Sequence, residues 1–163
     1  MTPTIRKIVV PTDFSPRSDA AVDYAVALAT ALGAPVHLVH VVEEPFLGGE
    51  WEMYIRNPQE IRDQLDADAR ARLAATAGRL ETMSIPVSTG IRHGSAFEGI
   101  VHEAKAVSAD LIVMGTHGRR GVSHLMLGSV AERVIRGAHC PVLTVRMTAG
   151  APQVAGGAER SAA

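Results

Sequence analysis

Cysteine occurs once in this chain of 163 residues, at Cys140, and lysine only at Lys7 and Lys105. A lone cysteine makes no internal disulfide and no four-cysteine zinc site. Charge of one sign is also missing: 16 Lys+Arg stand against 17 Asp+Glu, a formal charge of -1. No net positive field draws such a chain onto nucleic acid or anionic lipid, so neither is an expected partner. No apolar run approaches the ~20 residues that span a bilayer. No apolar stretch follows the charges at Arg6 and Lys7, so no signal peptide is read. The expectation is one soluble, cytoplasmic domain with a packed core, given 47% hydrophobic and 20% charged residues.

What is present is a rhythm. Ile8-Val9-Val10 is a short β-branched run ending in Pro11-Thr12-Asp13, which reads as a buried strand. Ser15-Pro16 supplies a cap and a first-turn proline. Ala21, Val22, Ala25, Val26, Leu28, Ala29 and Leu32 follow at helical spacing up to Gly33. Val36 to Val42 reads as a second strand, and Asn57-Pro58 opens a long helix with an apolar seam of Ile61, Leu65, Ala69, Leu73, Leu80 and Met83. Pro86 to Ile91 is a weaker third strand, and Ser95 with Glu98 forms a capping box before Ile100, Val101, Ala104 and Val107. Leu111 to Met114 is a fourth strand, Ser129 to about Arg136 a helix, and Pro141 to Val145 a fifth strand. Near-continuous apolar strands alternating with helices predict a five-stranded parallel α/β sheet with helices on both faces. Glu43 to Asn57, holding Trp51 with Phe46, Met53 and Tyr54, stands outside the rhythm. Residues 148–163, rich in Ala and Gly, are expected to form a disordered tail behind a domain over 1–147.

Open parallel sheets bind ligands at the carboxyl ends of their strands. The decisive segment is therefore the loop after Met114, which runs from Gly115 through Gly118, Arg119, Arg120 and Gly121 to Gly128-Ser129. It follows a strand and feeds a helix N-terminus, whose unpaired N–H groups and positive dipole end suit a phosphate. Simpler readings stand beside this one. Ser129 with Glu132 is also a good capping box, Asp13 could cap the first helix beside Ser15, and the glycines suit any surface loop. His37 and His40 lie three apart on a strand and so face opposite sides. No metal site is read from the histidines, and Cys140 beside Pro141 reads as packing.

Gly115-x2-Gly118-x9-Gly128-Ser129 matches the G-x2-G-x9-G-[ST] signature of the universal stress proteins. From the chain's own composition those four positions coincide by chance in about one chain in a hundred. The stretch from Ile8-Val9-Val10-Pro11-Thr12-Asp13-Phe14-Ser15 to His139-Cys140-Pro141-Val142 also resembles that family. The resemblance implies a Rossmann-like domain that binds ATP, together with Mg²⁺ carried mainly by phosphate oxygens and water. It implies that Asp13 accepts from the ribose hydroxyls, with Pro11 and Thr12 lining the cleft. Main-chain groups near Val41 would read adenine, and Met114 and Gly115 would flank the sugar. Gly118, Gly128, Ser129 and Val130 would hold the α- and β-phosphates, with Arg119 a candidate further donor. It also implies a homodimer through the last strand, Pro141 to Arg146.

The function so implied is a nucleotide-dependent regulatory protein of the stress response. The alternatives are a slow ATP hydrolase or phosphoryl-transfer enzyme, and a nucleotide-free interaction module. Efficient turnover is not expected, and no catalytic residue is assigned. The chain has no Gly-Lys pair and hence no G-x4-G-K-[ST] loop, neither lysine falls in the glycine loop, and only His117 and His124 offer bases there.

Overall fold

The computed structural model describes residues 4–43, 58–116 and 128–146. Five strands and four helices alternate in the order β1 (Ile8–Pro11), α1 (Pro16–Leu32), β2 (Val36–Val42), α2 (Pro58–Glu81), β3 (Val87–His93), α3 (Ala96–Ala106), β4 (Leu111–Gly115), α4 (Ser129–Gly137) and β5 (Val142–Val145). All strand pairs are parallel, in the spatial order β3-β2-β1-β4-β5. The chain therefore moves outward from β1 to β3, then crosses back to place β4 on the other side of β1.

Alternate residues of the central strands serve the two faces. Ile8 and Val10 of β1, Val36 and Leu38 of β2 and Val113 of β4 pack with Ala21, Val22 and Ala25 of α1 and Leu73 and Leu80 of α2. Val9, Val39, Ile112 and Met114 turn the other way, onto Ile100 and Ala104 of α3 and Ala131 and Val134 of α4. Each fully buried Val, Leu, Ile or Met among them is worth about 1.5–3 kcal/mol, and each alanine less. The exposed ion pairs, such as Arg72–Asp68 within α2 and Arg79–Asp23 between α2 and α1, contribute about 0–1 kcal/mol each. The two apolar layers hold the fold.

The local signals act as expected for α1. The Ser15 side chain accepts from the Ser18 N–H, Pro16 sits in the first turn, and Gly33 closes the helix at φ 64° with its N–H on the Ala29 carbonyl. The seam of α2 is buried only in part. Ala69, Leu73 and Leu80 reach the core, Ile61 and Leu65 are exposed, and Met83, also exposed, lies two residues past the end of the helix rather than on its seam. The reason is length: 24 helical residues span roughly 36 Å, against roughly 23 Å for the longest strands, so α2 overshoots the sheet. The third strand runs on to His93, two residues past the apolar stretch, because Val42 pairs with His93 in the ladder to β2. The Trp51 segment and residues 148–163 lie outside the described residues.

Candidate functional site

The sheet changes direction at β1, so its two neighbours leave a crevice at the carboxyl end between β1 and β4. The ladder explains the opening. Ile8 N–H donates to Pro35 and Thr12 N–H to Val39, so even residues of this segment face β2 and odd residues face β4. On the β4 side only Ile8–Leu111 and Val9–Ile112 are paired, although β4 continues to Gly115. The next group due on that side is the nitrogen of Pro11, which carries no hydrogen. Proline ends the pairing and the two strands part.

Past Pro11 the chain is stitched onto the first turn of α1. Asp13 Oδ1 accepts from Ser15 N–H at 3.1 Å and Ser15 Oγ at 2.6 Å. Thr12 Oγ1 accepts from Phe14 N–H at 3.0 Å and lies 3.1 Å from Ser18 Oγ. Asp13 thus supports the cap, as the simpler reading held, and is fixed at the crevice by doing so. Phe14 adopts φ 61°, a left-handed conformation that costs a bulky residue about 1–2 kcal/mol. Its ring is held against His40 at a centroid distance of 4.5 Å, with the Arg72 guanidinium 5.3 Å from its centroid. His40 Nδ1 donates to the Thr12 carbonyl at 2.7 Å. Sequence reasoning missed this clamp, because His40 is polar on an otherwise apolar strand and nothing local marks its partner.

Opposite stands β4. Met114 is buried below the sheet, so only its main chain can border the crevice. A Cβ on Gly115 would lie 3.1 Å from the Arg17 carbonyl oxygen, so β4 passes close to the start of α1 there and a side chain would push the two apart by a few tenths of an ångström. Thr116 N–H donates to Val145, and Gly128 N–H returns to the Thr116 carbonyl at 2.8 Å. The glycine loop is therefore closed at its base. Gly118 and Arg119, with His117 and His124, lie outside the described residues. Gly128, not Ser129, is the N-cap of α4, and no side chain makes the cap bond. The capping-box expectation for Ser129 is corrected: its residue is exposed and occupies the first helical turn beside Val130. Ser95 does stand at the N-cap of α3, likewise without a side-chain bond. On the β2 side, Val41 shares the parity of Val39, whose carbonyl meets Thr12. Its main-chain groups face the space just beyond the end of β1.

The sequence model of the universal stress protein family matches residues 4–146. The chain belongs to that family. This universal stress protein is 38% identical over 146 residues to the Methanocaldococcus jannaschii universal stress protein MJ0531, covering 86% of this chain and 82% of that one. Its fold is similar to the solved structure of MJ0577 from the same organism, with TM-score 0.79, 30% identity and coverage of 90% and 99%. It is also similar to a universal stress protein solved in complex with cAMP, with TM-score 0.64, 26% identity and coverage of 88% and 98%.

Outside the crevice, this universal stress protein buries a polar cluster that the sequence reading did not assemble. His37 of β2 and Glu103 of α3 have side chains only 7% exposed, with His37 Nε2 2.7 Å from Glu103 Oε1. Arg92 Nε bonds Glu103 Oε2, and Ser88 Oγ lies 2.8 Å from His37 Nδ1. His40, three residues on, meets Thr12 instead, so the two histidines do face opposite sides. A Cβ on Gly90 would collide with the Glu103 carboxylate, which is why a glycine interrupts β3. That glycine, with an acidic residue on the apolar side of α3, was the available signal. Cys140 packs against the α3–α4 layer. Burial and the charge of Asp110 push its thiol up, a backbone hydrogen bond offsetting part. Among the described residues no three His, Cys, Asp or Glu side chains group as for a metal.

Burial alone would raise Glu103, but the hydrogen bonds and charges of Arg92 and His37 outweigh it and hold the carboxyl below the usual 4.5. A depressed carboxyl stabilises the fold above its unfolded value and loses that contribution as pH falls through the folded value. Glu103→Gln should cost roughly 3 kcal/mol at neutral pH and flatten the acid limb of stability. Urea unfolding at pH 7 and pH 3.5 checks this; an unchanged difference between the two pH values would contradict it.

Proposed function

We propose that this universal stress protein binds ATP with Mg²⁺ in the crevice between β1 and β4, and acts as a nucleotide-dependent regulator of the stress response. The observation that carries the reading is the start of α4. Gly128 leaves the first N–H groups of the helix without a side-chain cap, at the closed base of the glycine loop and across from Asp13. Unpaired N–H groups at a helix start favour an anion, and the absence of a Cβ at residue 128 lets a phosphate approach. Gly128, Ser129 and Val130 hold the α- and β-phosphates, with Gly118 and Arg119 adding donors from the loop. Asp13 accepts from the ribose hydroxyls beside Pro11 and Thr12. The Val41 main chain reads the adenine edge, and the main chain at Met114 and Gly115 borders the sugar. Mg²⁺ is carried by phosphate oxygens and water. The relative solved with cAMP supports an adenine nucleotide as the ligand class.

Regulation rather than rapid turnover is supported by where the two lysines lie. The Lys7 carbonyl bonds Asp110 N–H at the amino end of the sheet, and Lys105 is in the last turn of α3. Both are at the opposite edge from the crevice, so neither clamps a phosphate there. Residues 1–147 make the nucleotide-binding unit. Among the described residues no helix is long and apolar enough to cross a membrane, and the protein works in the cytoplasm.

At a hundred times its dissociation constant, Mg²⁺-ATP should add about 2.7 kcal/mol, a rise in Tm of roughly 5–10 °C for a domain of this size. Gly128→Val, whose side chain blocks the phosphate, should unfold at its own Tm with no rise. An equal rise in the variant would place the nucleotide elsewhere.

The protein also forms a homodimer through its last strand, Pro141 to Arg146. β5 is an edge of the sheet, and Leu143 is 38% exposed on it, an edge that pairing with a second copy would cover. Light scattering at tens of micromolar should give twice the chain mass, and Leu143→Arg the chain mass; a monomeric wild type overturns the dimer.

A further inference from the structure

Ser88 is exposed on β3, the other edge of the sheet, and its hydroxyl ends the buried chain that runs through His37 to Glu103. The order of hydrogens follows from chemistry. A carboxylate only accepts, so His37 Nε2 carries a hydrogen toward Glu103 Oε1, and in the neutral imidazole Nδ1 then presents its lone pair to the Ser88 hydroxyl. In that state the hydroxyl donates to Nδ1 across 2.8 Å, and Nε2 donates to Glu103 across 2.7 Å. A nucleophile, a base and a carboxylate that orients the base are thus in line. The two imidazole nitrogens exchange their more familiar places, which leaves the proton transfer equivalent. Arg92 and the burial on either side keep His37 and Glu103 from turning away, while Ser88 remains open to solvent.

A donor for a developing oxyanion lies beside it. Val36 N–H bonds the Pro86 carbonyl and Gly94 N–H bonds Val42, so even residues of β3 address β2 and odd ones point out of the sheet. The Thr89 N–H, next after Ser88, is directed to the open edge, where no strand among the described residues pairs it. A recess of about 250 Å³, with Leu73, Ala74, Thr89 and Ile91 in its wall and Arg70 at its side, lies on the other face of β3, against α2, and is not part of this line.

We propose that Ser88, His37 and Glu103 form a second, acyl-transfer site on the β3 edge, which cleaves small esters that reach the exposed Ser88 hydroxyl. Ser88 Oγ attacks the ester carbonyl as its proton passes to His37 Nδ1. The tetrahedral oxyanion faces the Thr89 N–H. The carbon–oxygen bond to the alcohol then breaks, the alcohol leaves with the proton from Nδ1, and the acyl group stays on Ser88. Water adds by the same route, its proton going to Nδ1 and back to Ser88 Oγ, and releases the acid. Glu103 is a positioning residue in this scheme, and the site is independent of the nucleotide crevice.

The test incubates the full chain with a fluorophosphonate probe, which forms a phosphorus–oxygen bond to an activated serine and expels fluoride, and maps the adduct by peptide mass spectrometry. In parallel, hydrolysis of 4-nitrophenyl acetate and butyrate is followed for the wild type, Ser88→Ala and His37→Gln. The expected result is an adduct at Ser88 and a rate that falls by about a hundredfold in Ser88→Ala. His37→Gln should lose labelling and rate together. Ser88→Ala removes only the hydroxyl partner of His37 Nδ1, so its labelling and rate are read well below its own measured Tm and serve as the reference even where His37→Gln is poorly folded. No adduct at Ser88 in the folded wild type, or equal rates in wild type and Ser88→Ala, overturns the proposal.

Discussion

Everything at the crevice depends on the ladder between β1 and β4 stopping at Pro11. Two residue pairs join the strands, and the missing N–H of Pro11 ends the pairing while β4 goes on to Gly115. Had the ladder continued, the Thr12–Asp13 turn and the base of the glycine loop would be tied to each other instead of facing across a gap. The strand-order reversal puts the gap in the middle of the sheet, where buried apolar layers on both faces hold its walls rigid. A positioned carboxylate thus stands on one wall and an uncapped helix start on the other.

The left-handed Phe14 belongs to the same arrangement. A bulky residue at φ 61° is stable only when its surroundings over-determine it, and here Thr12, His40 and Arg72 do so from the loop, β2 and α2. Three elements thus converge on the turn that carries Asp13. The Ser88–His37–Glu103 line uses the opposite face of β2, so one strand supports both sites: His40 braces the crevice turn and His37 addresses β3 and α3.

The strands and helices were legible because their patterns are unambiguous: β-branched runs buried on both faces, a Ser-Pro helix start, and a glycine stop at Gly33. At the crevice, Asp13 and the glycine spacing were the local signals; the structure places Asp13 and Gly128 there, while Gly118 lies outside the described residues. What escaped reading was long-range. His37 meets Glu103 across 66 residues and His40 meets Thr12 across 28, and no spacing rule announces such pairs. Ser129 was misplaced as a cap because a capping box is defined by residue types, while the helix starts where Gly128 bonds back to Thr116. The α2 seam was over-read because periodicity reports a face, and only the depth of the sheet decides how much of that face is covered.

The central claim is that the nucleotide lies between β1 and β4, and residue-resolved NMR titration tests it most directly. On addition of Mg²⁺-ATP, the amide signals of Thr12, Asp13, Val41, Gly115, Gly128, Ser129 and Val130 should shift together along one saturating curve. Lys7 and Lys105, at the far edge, should stay unmoved. Shifts confined to the amino end of the sheet, or saturation with the Gly128 to Val130 signals unchanged, would contradict the account.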